Sequence, residues 1–86
     1  MTYSYRFIFN ALQDAILDKR SVTITYKNFQ NHTTKRDIFP LRFKMIERTK
    51  SFYDRLCIIA YCNLRKEERT FAIYRISYLT SNSSEN

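Results

Sequence analysis

A run of seven apolar or amphipathic residues from Leu56 to Cys62 constrains the fold of this chain more than any other feature. The run is too short to span a bilayer, and its branched side chains are typical of a strand that is buried on both faces. A polar turn follows from Asn63, and a second strand is predicted from Arg69 to Ile76. The sequence therefore predicts a central buried strand with an arginine-rich return strand beside it.

The chain has 86 residues, which suffices for one domain with a modest core. Its 44% hydrophobic content and fourteen aromatic residues are those of a folded protein rather than a disordered one. We expect a single domain over residues 1–80 and a disordered tail over residues 81–86, where serine and asparagine dominate.

Hydrophobic periodicity predicts one helix near the start of the chain. Apolar residues spaced three and four apart place it over residues 9–19, with Lys19 and Arg20 in its last turn. The aromatic segment 3–7 ahead of the helix has two interpretations, an extra strand or a dimer contact. The sequence does not decide between them.

Short strands are predicted after the helix, because apolar and polar residues begin to alternate. With the central and return strands, the set covers residues 21–27, 34–41, 42–46, 56–62 and 69–76. Pro40 cannot donate a hydrogen bond to a ladder, so we expect a bend there. Phe43 and Met45 are expected to face the core. Five strands without a crossover helix predict a mainly β fold, a small five-stranded antiparallel barrel closed on itself with an N-terminal helix.

The formal net charge of +7 is concentrated between residues 35 and 50, which hold six cations and two carboxylates. Such a band favours anionic partners, namely single-stranded DNA or RNA, a nucleotide, or an acidic protein surface. Solubility alone explains the charge equally well. No signal peptide and no membrane span are expected, so we expect a cytoplasmic protein without a membrane partner.

Catalytic and metal-binding motifs are not expected in this chain. The sequence contains no glycine, so it cannot build a phosphate-binding loop, a dinucleotide fingerprint or a nucleophile elbow. Turns that need positive φ are expected to use asparagine at positions 28, 31 and 63. Cys57 and Cys62 lie about 16 Å apart on one strand, so we expect free thiols. Neither has a histidine partner, and we predict no enzyme, no metal and no cofactor.

The order of motifs resembles that of WYL domains over about residues 10–78. The resemblance rests on an amphipathic helix and four motifs, namely Val22–Lys27, Pro40-Leu41, Ala60-Tyr61-Cys62-x-x-Arg65, and Arg69-Thr70-Phe71 followed by Arg75-Ile76. It implies an Sm-like or SH3-type β-barrel with a helix. It also implies a module that binds nucleic acid or nucleotide-type ligands through a basic, aromatic-edged surface. Such modules act as effector sensors in bacterial regulators, in DNA-damage and phage-defence control, and in accessory proteins of CRISPR systems.

The chain departs from the family pattern at several positions. Leu56-Cys57-Ile58 stands where the family has Trp-Tyr-Leu, Ala72 where arginine is usual, and Tyr74 where aspartate is usual. The family commonly carries a helix-turn-helix domain ahead of this unit and a further domain behind it. Neither is expected here, so the chain is either a stand-alone protein or a piece of one, and we do not expect a recognition helix that reads promoter DNA.

The predicted binding residues are cationic or aromatic side chains on the strands and their returns, namely Tyr26, Lys35, Arg42, Lys44, Arg65, Arg69, Phe71 and Arg75. Arginine can grip phosphate bidentately, and aromatic rings can stack on bases. Each choice has a structural alternative. Arg69 and Arg75 can pair with neighbouring carboxylates and only fix the fold, Phe71 can pack in the core, and the strand cations can be solvated.

Two functions follow from these patterns. The first is a non-catalytic WYL-type module that binds nucleic acid, single-stranded by preference, or a nucleotide, as a regulator or accessory of a bacterial or phage defence or CRISPR-type system. The second is a protein-interaction subunit that docks on a partner enzyme or forms a homodimer through its N-terminal aromatic segment.

Overall fold

A computed structural model describes residues 3–28, 30–46 and 56–82 of the chain. Its elements in chain order are α1 (Tyr5–Asp18), β1 (Val22–Lys27), β2 (Thr33–Met45), β3 (Leu56–Cys62), β4 (Glu67–Ala72), one 3-10 turn (Ile73–Arg75) and β5 (Ile76–Ser81). The strands form one antiparallel sheet in the order β4-β3-β2-β1-β5. Residues 47–55, between the third and fourth predicted strands, and residues 83–86 of the predicted tail lie outside this description.

The mainly β class with an N-terminal helix is confirmed, but the predicted closure of the barrel is not found. In the described sheet β4 pairs with β3 alone and β5 with β1 alone, so the ladder is open between β4 and β5. The 3-10 turn at Ile73–Arg75 carries the chain across this gap. The fold is therefore a strongly curved open sheet whose seam is bridged by a turn and by side chains.

A bulge near Pro40 bends β2. The register with β3 shifts between Pro40, which lies opposite Ala60, and Arg42, which lies opposite Ile59. Leu41 is the extra residue of a bulge, and a bulge is where a strand tolerates proline. The bend at Pro40 is thus confirmed, but the two strands predicted on either side of it form one strand of 13 residues.

The predicted return strand is interrupted. Its first residues form β4, but the chain turns at Ile73 and starts a separate edge strand, β5, at Ile76. The predicted tail also starts too early, because Ser81 ends β5 and the Asn82 N–H donates to the Ser21 carbonyl at 3.2 Å. Pairing with β1 orders this last segment.

The helix starts four residues earlier than predicted because Ser4 caps it. The Ser4 hydroxyl accepts a hydrogen bond from the Phe7 N–H at 3.1 Å, which satisfies one of the free donors of the first turn. At the other end Lys19 takes a left-handed conformation (φ 56°) and its N–H bonds back to Ala15 and Ile16. The helix ends at Asp18, so Lys19 and Arg20 follow it instead of lying in its last turn.

The core lies between the apolar face of α1 and the inner face of the sheet. Ile8, Leu12 and Ala15 of the helix are buried there. They belong to one cluster with sheet residues that include Val22, Ile24, Ile38, Ile58, Phe71 and Leu79. In β3 only Ile59 and Tyr61 are not buried, as predicted for a strand that is covered on both faces. The middle strand of the sheet, however, is β2 and not β3. Phe43 packs against the core as expected, but Met45 is exposed.

Three described residues adopt positive φ, and the sequence predicted one of them. Asn31 (φ 64°) is confirmed, whereas Lys19 (φ 56°) and Lys66 (φ 58°) were not anticipated. Asn28 shapes its turn differently, because its side-chain oxygen accepts the N–H groups of Gln30 (2.9 Å) and His32 (3.0 Å). Lysine therefore fills left-handed positions in this glycine-free chain at some cost in conformational energy.

Candidate anionic-ligand site

A cleft with a volume of about 620 Å³ opens beside the seam of the sheet. The start of α1, the turn between β1 and β2, and the 3-10 turn with the start of β5 form its walls. The lining residues are Tyr3, Tyr5, Lys27, Asn31, Thr33, Ile73, Tyr74, Arg75, Ile76 and Ser77. This set combines two cations and three tyrosines, and it includes no carboxylate from the described residues.

Arg75 fixes the geometry of this cleft. Its Nη1 donates to the carbonyl oxygens of Lys27 (3.1 Å) and Asn28 (3.0 Å), which ties the 3-10 turn to the end of β1. Its Nε donates to the Tyr74 hydroxyl at 3.2 Å, and its guanidinium carbon lies 5.3 Å from the centroid of the Tyr74 ring. Arg75 therefore holds both walls together and places a cation against an exposed aromatic ring.

A second, smaller cleft of about 440 Å³ adjoins the first. It lies on the outer face of β5, β1 and β2 and is lined by Tyr3, Thr23, Thr25, Lys35, Tyr78, Leu79 and Thr80. Thr25 stands opposite both Lys35 and Tyr78 in the strand register, so these three residues form a row across the sheet. Lys35, a predicted site residue, is thus at this cleft and not in the larger one.

Tyr26 and Phe71 lie together under the seam. Their ring centroids are 5.1 Å apart in an edge-to-face contact, and Phe71 is only 5% exposed. Burial raises the pKa of the Tyr26 hydroxyl, although a backbone hydrogen bond from Ala72 and the charge of Arg75 act in the opposite direction. These contacts favour the packing interpretation of Phe71 and leave the Tyr26 hydroxyl already engaged.

The other predicted cations lie away from the larger cleft. Arg65 is exposed in the turn after β3, and Arg69 pairs with Glu67 at 3.4 Å near the start of β4. Arg42 pairs with Glu68 at 3.5 Å across the outer face. Lys44 is exposed two residues along the same strand. These cations do not converge with Arg75, and the pairing foreseen as the alternative for Arg69 is present.

Cys62 has an environment that the sequence did not indicate. Both cysteines are buried and free, as predicted. Burial raises the pKa of the Cys62 thiol, but hydrogen bonds from the backbone of Arg65 and Leu64 and from the Arg36 guanidinium, at 3.9 Å, outweigh it and lower that pKa overall. Burial raises the pKa of Cys57, which Lys44 partly offsets. Arg36, which enters no predicted site, is thus a partner of the thiol.

Sequence reasoning missed most of the larger cleft. Lys27, Asn31, Thr33 and Tyr74 line it, but they come from the β1-β2 turn and the 3-10 turn, two segments that become neighbours only after β5 pairs with β1. The signal that was readable in advance is the cation-aromatic pair Tyr74-Arg75.

Within the described ranges no helix is long and apolar enough to cross a membrane, and no cluster of three or more metal-ligating side chains occurs.

A small curved antiparallel sheet with a capping helix and a basic, tyrosine-lined cleft defines a compact binding domain. The model of the WYL domain family matches residues 8–81, and the chain belongs to that family. A solved structure of proteasome accessory factor B/C (PafBC) of Arthrobacter aurescens is similar over 92% of this chain, with a TM-score of 0.78 and 28% identity. The match spans 12% of the PafBC chain. No curated protein matches this sequence significantly.

Proposed function

We propose that this WYL domain is a non-catalytic, ligand-sensing module that binds a nucleotide or a single-stranded nucleic acid in the larger cleft. Family membership and the likeness to PafBC support a regulatory ligand-sensing module in general. The observation that carries the finer proposal is the lining of the cleft. It places Lys27 and Arg75 beside three tyrosines, with no carboxylate among the described lining residues.

The chemistry of the cleft matches the two parts of a nucleotide. The Lys27 ammonium is a point charge that attracts phosphate, and the exposed Tyr74 ring offers a face to a base. The cleft volume of about 620 Å³ falls within the range of small-molecule sites. Arg75 contributes its charge to the site while its guanidinium holds the walls.

The cations outside the cleft have a supporting role in this proposal. Arg42, Lys44, Arg65 and Arg69 add to the net charge of +7, which raises the local concentration of anions around the domain. Because these side chains are exposed and two of them pair with glutamates, we assign them long-range attraction and not direct coordination.

The test is a titration of the domain with nucleoside monophosphates, single-stranded DNA, single-stranded RNA and duplex DNA at low and moderate salt. The key variant is Lys27→Gln, and the matched control is Lys19→Asn. Lys19 also carries one positive charge, but it lies at the far end of α1 in a left-handed position that asparagine accepts.

We expect Lys27→Gln to weaken binding by about three- to tenfold and to reduce the salt dependence, since one phosphate contact is lost. The control should bind like the wild type. Absence of binding by every probe at micromolar protein and low salt would refute the proposal. An equal loss in both variants would refute the assignment to this cleft.

Two broader roles belong with this proposal. A sensing module of this kind fits a regulator or accessory of a bacterial or phage defence or CRISPR-type system. Loss of the defence or regulatory response in a strain that carries Lys27→Gln would test this role.

The alternative function, a protein-interaction subunit or homodimer, is favoured by one observation. Tyr3, Phe7 and Tyr78 form an exposed aromatic cluster with ring centroids 4.6 and 5.3 Å apart. Light scattering that finds a monomer at high concentration, unchanged by Phe7→Ser, would count against it.

A further inference from the structure

The two edges of the described sheet differ in charge. The β4 edge begins with Glu67, Glu68 and Arg69, whereas β5 runs from Ile76 to Ser81 without a charged residue. Natural proteins protect an exposed sheet edge with charged side chains, because its unpaired backbone groups can pair with another chain. The β4 edge has this protection, and the β5 edge lacks it.

Alternate residues of β5 direct their backbone groups away from β1. The Asn82 N–H donates to the carbonyl just before β1 at 3.2 Å, so the backbone of Asn82 bonds towards β1. Because this direction alternates along a strand, the N–H and C=O groups of Leu79 and Ser81 point to the other side. Ser77 agrees with this alternation, since its carbonyl accepts the Tyr3 N–H at 2.9 Å on that side. In the described part of the chain no strand pairs with Leu79 and Ser81 there.

A second copy of β5 fits this edge in an antiparallel register. With a twofold axis at Thr80, Leu79 lies opposite the partner's Ser81, and each such pair exchanges both of its N–H···O bonds. The axis also sets Thr80 opposite the partner's Thr80 on the outer face, and paired threonines are favourable neighbours in antiparallel sheets. Ser77 lies outside the paired segment, so its bond to Tyr3 stays in place. The edge is therefore complementary to itself.

Electrostatics also favours contact at this strand. Each chain carries a formal net charge of +7, so two copies repel each other where their cations meet. The side chains of β5 bring no charge into the pair. Lys35 of the same outer face lies two strands from Tyr78, with Thr25 between them, which is a separation of about 10 Å.

We propose that two copies of this domain associate through antiparallel pairing of their β5 strands, which joins the two five-stranded sheets into one continuous sheet. The backbone of Leu79 and Ser81 and the paired Thr80 side chains form the centre of the interface. This contact differs from the aromatic cluster of Tyr3 and Phe7, because backbone hydrogen bonds and not rings join the copies. It does not depend on the proposed ligand.

The pairing leaves the larger cleft of each copy open. Ile76 and Ser77 line that cleft, and both precede the paired segment. The register places Ser77 of one copy six residues along the strand from the partner's Ser77, which is about 20 Å. The dimer therefore presents two separate clefts on either side of its axis.

The experiment is sedimentation equilibrium of the domain from micromolar to millimolar concentration. The wild type should approach twice the chain mass of 10.5 kDa. Thr80→Lys sets two ammonium groups opposite each other at the axis and should weaken the dimer by about tenfold or more. Thr80→Glu should do the same with two carboxylates. A mixture of the two variants should restore the dimer, because unlike charges then face each other.

The matched control is Thr70→Lys, which adds the same charge to an exposed threonine on the outer face of the other edge strand, β4. It should dimerise like the wild type. Added salt should strengthen the wild-type dimer, since it screens the repulsion between two cationic chains. Thermal melting of each variant checks that it folds.

Three results would overturn the proposal. The first is a wild-type monomer at every concentration and salt. The second is equal weakening by Thr70→Lys and Thr80→Lys, which would reduce the effect to net charge. The third is a dimer that survives Thr80→Lys but is lost in Phe7→Ser, which would place the interface at the aromatic cluster.

Discussion

Replacement of Arg75 by alanine should destabilise the domain, although this arginine also lines the candidate ligand cleft. Its guanidinium donates to the carbonyls of Lys27 and Asn28 and to the Tyr74 hydroxyl. Hydrogen bonds from a charged donor contribute about 1.5–3 kcal/mol each when they are shielded from water. Two of these three hydrogen bonds are exposed, and water can take the place of the lost donor there. We therefore expect Arg75→Ala to lower the free energy of unfolding by about 2 kcal/mol in total.

This loss should be visible in both chemical and thermal unfolding. For a domain of this size, about 2 kcal/mol corresponds to a fall in Tm of about 8–16 °C. Urea denaturation followed by circular dichroism gives the free energy directly, and the m-value checks that unfolding stays two-state. Arg75→Lys should recover only part of the loss, because an ammonium lacks the planar fork that reaches two carbonyls and the tyrosine hydroxyl.

Arg69→Ala is the matched control for this prediction. Among the described residues Arg69 makes an exposed ion pair with Glu67 at 3.4 Å, and such pairs contribute about 0–1 kcal/mol. We therefore expect Arg69→Ala to unfold within about 0.5 kcal/mol of the wild type. If Arg75→Ala were equally harmless, the bridge between the 3-10 turn and β1 would carry no stability and the reasoning from these contacts would be wrong.

Three further substitutions test the local chemistry of the fold. Ser4→Ala removes the N-cap of α1 and should cost about 1 kcal/mol in urea unfolding, with fraying of the first helical turn in amide exchange. Lys66→Gly relieves a left-handed lysine and should raise the urea midpoint by the equivalent of about 0.5 kcal/mol, because the greater freedom of glycine in the unfolded chain offsets part of the gain. Tyr26→Phe loses the hydrogen bond with Ala72 and should cost about 1 kcal/mol near pH 8. Burial raises the pKa of Tyr26 in the folded state, so its hydroxyl contributes stability that is fully present below about pH 10. This contribution is lost as the pH rises through the folded-state pKa. The difference in unfolding free energy between wild type and Tyr26→Phe should therefore shrink at alkaline pH. A gap that widens would contradict the sign.

Local patterns predicted the elements of this fold better than their ends. The sequence shows the apolar run of β3 because most of its side chains are buried. It shows the alternation of β1 because successive side chains point to opposite faces of the sheet, and only one of these faces is buried. The bend at Pro40 is equally local, since a missing N–H disrupts any ladder. The start of α1 was missed because the periodicity of apolar residues begins after the Ser4 cap, and the cap is a hydrogen bond and not a hydrophobic signal.

The open seam of the sheet depends on a tertiary contact that alternation does not reveal. Residues 69–76 alternate well enough for one strand, yet the chain turns at Ile73, whose side chain is buried. Burial of Ile73 and the pairing of β5 with β1 together compensate for ending β4 early. Tertiary contacts therefore decide whether this segment forms one long strand or two short ones, and a local sequence pattern does not reveal them.

The same turn explains why the predicted arginines do not converge. Arg69 and Arg75 are six residues apart, an even separation that would place both on one face of a continuous strand. The 3-10 turn breaks that alternation and brings the Arg75 guanidinium to the carbonyls at the end of β1, while Arg69 stays beside Glu67 near the other end of β4. Arg75 then meets Lys27 and the tyrosines at the start of α1, none of which its own motif contains. The cationic cleft in this fold is consequently assembled by the 3-10 turn and by the pairing of β5 with β1, so the density of arginine in one hairpin does not predict where the cations of the cleft gather.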